Sequence, residues 1–194
     1  TLYVTESYQI VLCCELDNNY RPRIFELQTK PISLFGGFSK CSIVDVNGDI
    51  YIINPNDIYR KINSNKKISS DFYKLKPSIR LPSPASIVAC GYNLTFVLTK
   101  DHRVFKIINQ SQIEVKIKTV VKNSHIINIS GTSNSFFAID SEGYVYGNSA
   151  NAKNNNFGIE GDDNSNNFVV IEPLKEYYTK EIFSGVNHTI LMTN

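Results

Sequence analysis

The sequence of 194 residues contains no tryptophan, one methionine, three histidines and four cysteines. Cys13, Cys14, Cys41 and Cys90 form neither a C-x-x-C pair nor a cluster with histidine at metal-ligand spacing. The sequence therefore predicts no metal site and no cofactor, and this cysteine pattern favours a reducing, intracellular location.

Long apolar runs and a marked excess of one charge are also missing. No apolar run approaches the ~18 residues that span a bilayer, and no segment resembles a signal peptide. Lys and Arg number 20 against 18 Asp and Glu, so the net charge of +2 is too small to indicate nucleic acid or an acidic membrane as partner. We expect an intracellular protein, cytoplasmic or nuclear, with no membrane partner.

The sequence also lacks a stretch in which apolar residues recur with the period of an α-helix. The nearest candidate, "EPLKEYYTKEIF" at residues 172–183, is short and ends in β-forming residues. The apolar fraction of 42% is ordinary for a globular protein and suffices for one core. These features predict an all-β chain.

The sequence does contain a unit that recurs four times. Gly37, Gly91, Gly131 and Gly185 each follow a β-branched strand and precede a polar turn and an apolar strand. In the first three copies an Asp-, Asn- or Gly-rich hinge then leads to a strand beginning Ile50-Tyr51, Val104-Phe105 or Val145-Tyr146. Such hinges are typical of β-hairpins, because glycine and asparagine accept the backbone angles of tight turns.

A further strand lies upstream of each unit, so each copy predicts four strands. The glycines are 54, 40 and 54 residues apart, which is near the ~40–50 residues of a propeller blade plus loops. An ordinary β-sandwich is the alternative, but it does not require matching glycine, hinge and aromatic offsets. The pattern therefore favours a β-propeller of four-stranded antiparallel blades.

Three stretches carry a resemblance to a known family: "IVACGYNLTFVLTKDHRVF", "GYVYGNSANAKNNNFGIEGDD" and "IFSGVNHTILMT". They resemble the regulator of chromosome condensation repeat, the blade of a β-propeller family. The family's Trp-Gly pair is absent, and its turn histidine occurs only as His188, with Lys40, Leu94 and Ser135 in the other copies. The resemblance implies a ring of seven blades, which members of the family typically close, whereas the repeat in this chain gives about four.

Residues 1–194 are thus expected to form a single propeller domain or a fragment of a larger propeller. The final "HTILMTN" looks like a third strand and the initial "TLYVT" like a fourth, so the two ends could together complete one blade. A half-ring that pairs with another segment, the remainder of its own propeller, is the alternative.

No catalytic residue is predicted. Cys90 has no independent histidine and acid beside it and is interpreted as a small core residue. His188 fits the turn position of the repeat, which indicates a structural role. "DVNGDI" at Asp45 superficially matches a calcium loop, but Ile50 stands where that loop needs glycine, so we expect a hairpin turn.

The two longest polar inserts, residues 54–75 and 150–167, are expected to be surface loops. Loops on a rigid scaffold commonly carry binding residues, so these two are the candidate partner-binding surface. The first concentrates positive charge and the second negative charge: Arg60, Lys61, Lys66 and Lys67, with Lys74 and Lys76, against Glu160, Asp162 and Asp163.

The leading hypothesis is a non-catalytic protein-protein interaction module. One alternative, implied by the resemblance, is a guanine-nucleotide exchange factor for a Ran-type small GTPase. Another is a chromatin-associated or scaffold domain of a larger protein. The expected partner is another protein, with a small GTPase as a specific candidate and chromatin less favoured because of the low net charge.

Overall fold

The structure, a computed structural model, describes residues 2–12, 23–27, 29–37, 40–54, 72–75, 78–108, 111–149 and 167–194. Within these ranges the chain forms strands and one 3₁₀ turn, Glu172–Leu174, with no α-helix. The weak helical pattern at residues 172–183 corresponds to that turn and to a strand. The prediction of an all-β fold is confirmed.

The strands are numbered in chain order. The first seven are β1 (Leu2–Val4), β2 (Gln9–Leu12), β3 (Arg23–Leu27), β4 (Pro31–Gly36), β5 (Cys41–Asp45), β6 (Ile50–Ile53) and β7 (Phe72–Leu75). The next four are β8 (Ala85–Cys90), β9 (Thr95–Thr99), β10 (Val104–Ile108) and β11 (Ser111–Val115). The last six are β12 (Ile126–Gly131), β13 (Ser135–Asp140), β14 (Val145–Ser149), β15 (Val169–Val170), β16 (Thr179–Ser184) and β17 (Thr189–Thr193).

These strands form five sheets, which we number along the chain. Their strand orders are β1-β2-β3-β7, β4-β5-β6, β8 to β11, β12 to β15, and β16-β17. Neighbouring strands are antiparallel except β3 and β7, which pair in parallel. Sheets three and four are complete four-stranded meanders, as the repeat predicts.

The register shows which positions correspond between sheets. The last residue of each first strand pairs with the residue five positions later: Gly36 with Cys41, Cys90 with Thr95, Gly131 with Phe136 and Ser184 with Thr189. Gly131 therefore corresponds to Cys90, and Thr132 takes the position of Gly37, Gly91 and Gly185. The sequence alignment of the third copy was wrong by one residue.

The turns between second and third strands, which we call the lower turns, also repeat. In each, one backbone N–H donates to the carbonyl four residues later: Thr5 to Gln9, Asp45 to Asp49, Thr99 to Arg103 and Asp140 to Tyr144. The residue three positions after the donor has positive φ: Tyr8 (61°), Gly48 (79°), His102 (64°) and Gly143 (81°). This geometry makes β1 a second strand, β2 a third strand and β3 a fourth strand.

The predicted role of the initial segment is therefore wrong. "TLYVT" supplies the strand before a lower turn, whereas the sequence predicts the strand after one. The expectation for "HTILMTN" is met, because a count that begins with the upstream strand makes the strand after the upper turn the third, and β17 is that strand. Since both ends occupy the same position in the unit, they do not complete one blade between them. In the described residues β1 pairs with β2 and β17 pairs with β16, in separate sheets.

A buried carboxylate organises two of the lower turns. Asp140 Oδ1 accepts hydrogen bonds from the N–H groups of Glu142 and Tyr144, and its Oδ2 accepts from the hydroxyls of Ser124 and Tyr146. Asp45 is bound in the same way by two turn N–H groups and by the hydroxyls of Thr29 and Tyr51. Because protein donors surround the Asp45 carboxylate, "DVNGDI" is the expected hairpin turn.

Successive sheets pack face to face through apolar clusters. One cluster joins sheets one and two through Phe25 and Tyr51, and the next joins sheets two and three through Val44 and Phe105. Sheets three and four meet around Phe96, Phe136 and Tyr146, with the Phe96 and Phe136 rings 4.5 Å apart, whereas sheets four and five meet around Phe137 and Ile182. This serial packing is the arrangement of propeller blades.

Candidate functional site

The turns between first and second strands, which we call the upper turns, lie at the opposite end of the strands from the lower turns. Each is closed by one backbone hydrogen bond of 2.8–2.9 Å, from Gly37 to Lys40, Gly91 to Leu94, Thr132 to Ser135 and Gly185 to His188. Since the acceptor is a main-chain carbonyl, this hydrogen bond requires no particular side chain at that position. This explains why histidine appears there only once.

Neighbouring upper turns are joined to one another by the backbone. Tyr92 N–H donates to the Ser133 carbonyl at 2.8 Å, and Ser133 N–H donates to the Val186 carbonyl at 3.0 Å. Ser133 thus links the turns of sheets three, four and five. Main-chain bonds of this kind hold the row of turns in a fixed order, so it can act as a preformed surface.

His188 lies at the end of this row and is exposed. A side-chain carbon added to Gly185 would lie 2.5 Å from Cε1 of His188, so the imidazole covers the backbone of its own turn. This contact agrees with the structural role predicted for His188. It leaves the ring at the rim of a groove.

The groove lies between sheets four and five and has a volume of about 570 Å³. Its rim is formed by the upper turns at residues 132–135 and 186–189, and its floor is apolar, with Phe137, Ile171, Leu174 and Leu191. An apolar floor with polar groups at the rim is typical of binding sites in proteins. The sequence did not indicate this groove, because its walls come from two different sheets.

The groove exists because sheet five contributes few large side chains to its packing on sheet four. Each of the other three sheet-to-sheet clusters contains an aromatic residue from the third strand of the later sheet: Tyr51, Phe105 or Tyr146. Among the described residues, the cluster between sheets four and five contains none, since sheet five there has only its first and second strands, β16 and β17. The space is therefore left open beside Leu191.

The predicted partner-binding residues lie outside the described residues, except Lys74, which the structure places in β7. This holds for Arg60, Lys61, Lys66 and Lys67 of the first loop and for Glu160, Asp162 and Asp163 of the second. Their role as a partner surface remains a prediction.

Cys90 is a core residue, as predicted. The side chain is buried between Ser42, whose Oγ is 3.6 Å from Sγ, and Thr95. Burial raises the pKa of the Cys90 thiol, which disfavours the thiolate that a nucleophile needs. Cys41 is half-buried, and burial raises the pKa of its thiol as well.

The structure brings two histidines together that the sequence did not connect. The rings of His102 and His125 have centroids 4.1 Å apart, and His102 Nδ1 lies 3.1 Å from the Ile126 carbonyl. His102 is in a lower turn of sheet three, and His125 precedes β12. Within the described ranges, no three His, Cys, Asp or Glu side chains form a group that could hold a metal ion.

Comparison with known proteins defines the fold. Over its whole length the chain matches human WBSCR16 at a TM-score of 0.71 and 12% identity, spanning 55% of that chain. It matches Prp20p from Saccharomyces cerevisiae at a TM-score of 0.68 and 12% sequence identity, and the match covers 99% of this chain and 53% of that chain. It matches yeast RCC1 (Prp20) bound to Kap60 at 0.63 and 13% identity, with 98% and 51% covered.

The fold is that of regulator of chromosome condensation type β-propellers. The predicted fold class of about four blades is thereby confirmed, while the chain spans about half the length of the solved structures it matches. No protein-family model and no curated protein matches the sequence. No helix in the described ranges is long and apolar enough to cross a membrane.

Proposed function

We propose that this chain is a non-catalytic protein-protein interaction module built on a propeller. The observation that carries the proposal is the groove between sheets four and five, which a backbone-bonded row of upper turns holds open. A preformed apolar groove with a polar rim lowers the entropic cost of binding, since little of it must be ordered by the partner. The two charged loops predicted from the sequence are proposed as further partner-binding segments.

Site-specific crosslinking tests this role. A photoreactive amino acid is placed at Asn187 on the groove rim, at Lys67 in the basic loop and at Asp163 in the acidic loop. Glu142, an exposed residue of a lower turn, is the control position. We expect one protein to crosslink at Asn187 and at one or both loops, and not at Glu142.

The captured protein is then purified and titrated against the chain. Lys66→Glu with Lys67→Glu should weaken binding at least about fivefold in calorimetry, while Glu142→Lys should leave it unchanged. Crosslinking confined to Glu142, or binding that Lys66→Glu with Lys67→Glu leaves unaltered, would contradict the proposal.

Guanine-nucleotide exchange on a Ran-type GTPase is the second candidate. It is supported by the likeness to Prp20p, a protein described by its binding to Gsp1p and histones. Exchange needs no set of catalytic side chains, since such factors act by distorting the nucleotide pocket. Release of a fluorescent GDP analogue should rise at least about tenfold at micromolar protein, and release at the background rate rules this activity out.

A chromatin-associated or scaffold role is the third candidate, supported by the same description of Prp20p. The net charge of +2 predicts weak electrostatic attraction to DNA. Binding to histones that persists as the salt concentration rises would favour a specific chromatin contact. Binding that vanishes at modest salt would mark it as nonspecific.

A further inference from the structure

Each lower turn meets the following sheet at a junction, and the four junctions share one design. At each, the residue just before a first strand lies against the positive-φ residue of the preceding lower turn. The pairs are Lys30 with Tyr8, Pro84 with Gly48, His125 with His102 and Tyr178 with Gly143. The third junction lies between sheets three and four, both of which have four strands.

This third junction brings two exposed imidazoles into contact. The ring centroids of His102 and His125 are 4.1 Å apart, and the ring planes are tilted by 54°. His102 has a φ of 64°, a conformation that glycine adopts with less strain. The turn therefore holds an imidazole at a conformational cost that Gly48 and Gly143 avoid, and strain of this kind is often found at functional sites.

The ring of His102 is oriented by the backbone. Its Nδ1 lies 3.1 Å from the carbonyl oxygen of Ile126. Because a carbonyl oxygen only accepts hydrogen bonds, Nδ1 carries the hydrogen, and Nε2 of the neutral ring holds a lone pair. A backbone carbonyl bonded to one ring nitrogen commonly orients a histidine whose other nitrogen binds a metal ion.

The spacing of the two rings suits one shared ion. Two imidazoles bound to one metal at about 2.0–2.1 Å, with about 90–110° between the bonds, have centroids roughly 4.5–5.2 Å apart. His102 and His125 therefore need to separate by only about 1 Å or less. Among the described residues no hydrogen bond holds the His125 ring, so it can turn. Arg103 is paired with Asp101 and Glu114, which offsets its positive charge beside the rings.

We propose that His102 and His125 together bind one divalent metal ion of the kind that prefers imidazole ligands, represented by Zn²⁺. Two protein ligands leave the other coordination positions to water or to a side chain of a bound partner. The site lies at the lower turns, at the opposite end of the strands from the upper turns. It is thus a further site, separate from the proposed interaction surface.

Zinc titration of the full chain tests this proposal. NMR spectra of the ¹⁵N-labelled imidazole rings identify the nitrogens that bind, and calorimetry gives the Kd. We expect Zn²⁺ to shift the ring signals of His102 and His125 but not those of His188. Mg²⁺ should shift none of them, because it prefers oxygen ligands. Bound Zn²⁺ should also raise the Tm, since it binds the folded chain.

The other junctions indicate substitutions that this fold accepts. His102→Gly introduces the residue type of Gly48 and Gly143, and His125→Tyr introduces that of Tyr178. Each should weaken zinc binding at least about tenfold and remove the zinc-dependent rise in Tm. Without zinc, His102→Gly should unfold at the same or a higher Tm, because glycine relieves the positive φ. The control His188→Gln changes the remaining histidine and should leave the zinc affinity unaltered.

Zinc affinity that neither His102→Gly nor His125→Tyr lowers would overturn the proposal. Calorimetric binding without a change in the ring signals of His102 and His125 would overturn it as well, because the ion would then lie elsewhere on the chain. No response at millimolar Zn²⁺ would reduce the pair to a packing contact between sheets three and four. Failure of the crosslinking experiment would leave this test unaffected, since the two concern different surfaces.

Discussion

Sheets four and five carry apolar residues at the same positions but bury them very differently. Phe137 and Ile139 of β13 are 9% and 0% exposed, whereas Ile190 and Met192, at the corresponding positions of β17, are 62% and 45% exposed. The residue types are comparable, so the difference comes from what lies against each face. Sheet five covers the face of sheet four, and nothing in the described residues covers that of sheet five.

The same comparison explains the groove. In the described residues two strands, β16 and β17, cover the face of sheet four, and Phe137 lines the groove there. Phe96, its counterpart in sheet three, contacts the rings of Phe136 and Phe168. Both the open face and the groove thus lie beside sheet five, which has two strands in the described part of the chain.

The largest effect is expected from truncating the two corresponding aliphatic side chains. Ile139→Ala should lower the free energy of unfolding by about 2–5 kcal/mol, because it leaves a cavity in a fully buried site. Met192→Ala should lower it by less than about 1 kcal/mol, because the side chain is largely exposed. Urea denaturation of the two variants beside the unmodified chain measures both values.

Equal losses of unfolding free energy for Ile139→Ala and Met192→Ala would contradict the difference in burial between sheets four and five. Such a result would mean that the face of sheet five is covered in solution, by a second copy or by another part of the chain. Repeating the Met192→Ala measurement over a range of protein concentrations separates these cases, since only association depends on concentration.

The second prediction concerns the ends of the same two strands. Asp140 is fully buried and accepts four hydrogen bonds, whereas Thr193 at the corresponding position is exposed. Asp140→Ala should lower the free energy of unfolding by about 2–4 kcal/mol, because it leaves the N–H donors of the turn and the Tyr146 hydroxyl without their acceptor. Thr193→Ala should be near neutral.

Thermal unfolding followed by circular dichroism checks this second pair. Loss of the Asp140 carboxylate should lower the Tm by several degrees, and Thr193→Ala should leave it unchanged. An unchanged Tm for Asp140→Ala would contradict the role given to the buried carboxylate.

Much of this architecture could be predicted from the sequence because it depends on local chemistry. The hinges at Asn47-Gly48-Asp49 and Ser141-Glu142-Gly143 became hairpin turns, with glycine at the positive φ that the turn requires. The apolar segments on either side of each hinge predicted the second and third strands. The sequence also placed His102 in a hinge. The structure agrees, because the lower turn of sheet three has the same backbone hydrogen bonds as the other two.

The remaining features depend on contacts between sheets, which no local pattern encodes. The offset of Gly131 by one residue appeared only when the register showed that Thr132 makes the turn bond. The strand role of "TLYVT" was misassigned because one short apolar run looks much like another. The groove and the His102 to His125 contact require distances across sheets.

The smallest effect is expected at the lower turn of sheet three, where the buried carboxylate seen in sheet four is replaced by Thr99. The carboxylate of this turn belongs instead to Asp101, two residues later and on the surface. Hydrogen bonds from the Thr99 hydroxyl and from the Arg103 guanidinium lower the pKa of Asp101 to about 2. In sheet three Thr99 thus donates a hydrogen bond to a surface carboxylate, whereas in sheet four Asp140, at the corresponding position, is itself the acceptor.

Because the folded pKa of Asp101 lies below its unfolded value, its contribution is present above the unfolded pKa and is lost as the pH falls through the folded pKa of about 2. The effect is small because the group is exposed and solvent screens it. A ¹³C NMR titration should place the Asp101 midpoint near 2. Thr99→Val should raise this midpoint and Thr99→Ser should leave it low, since serine retains the donating hydroxyl. An Asp101 midpoint near 4 in the unmodified chain would show that the sheet-three turn lacks these bonds in solution.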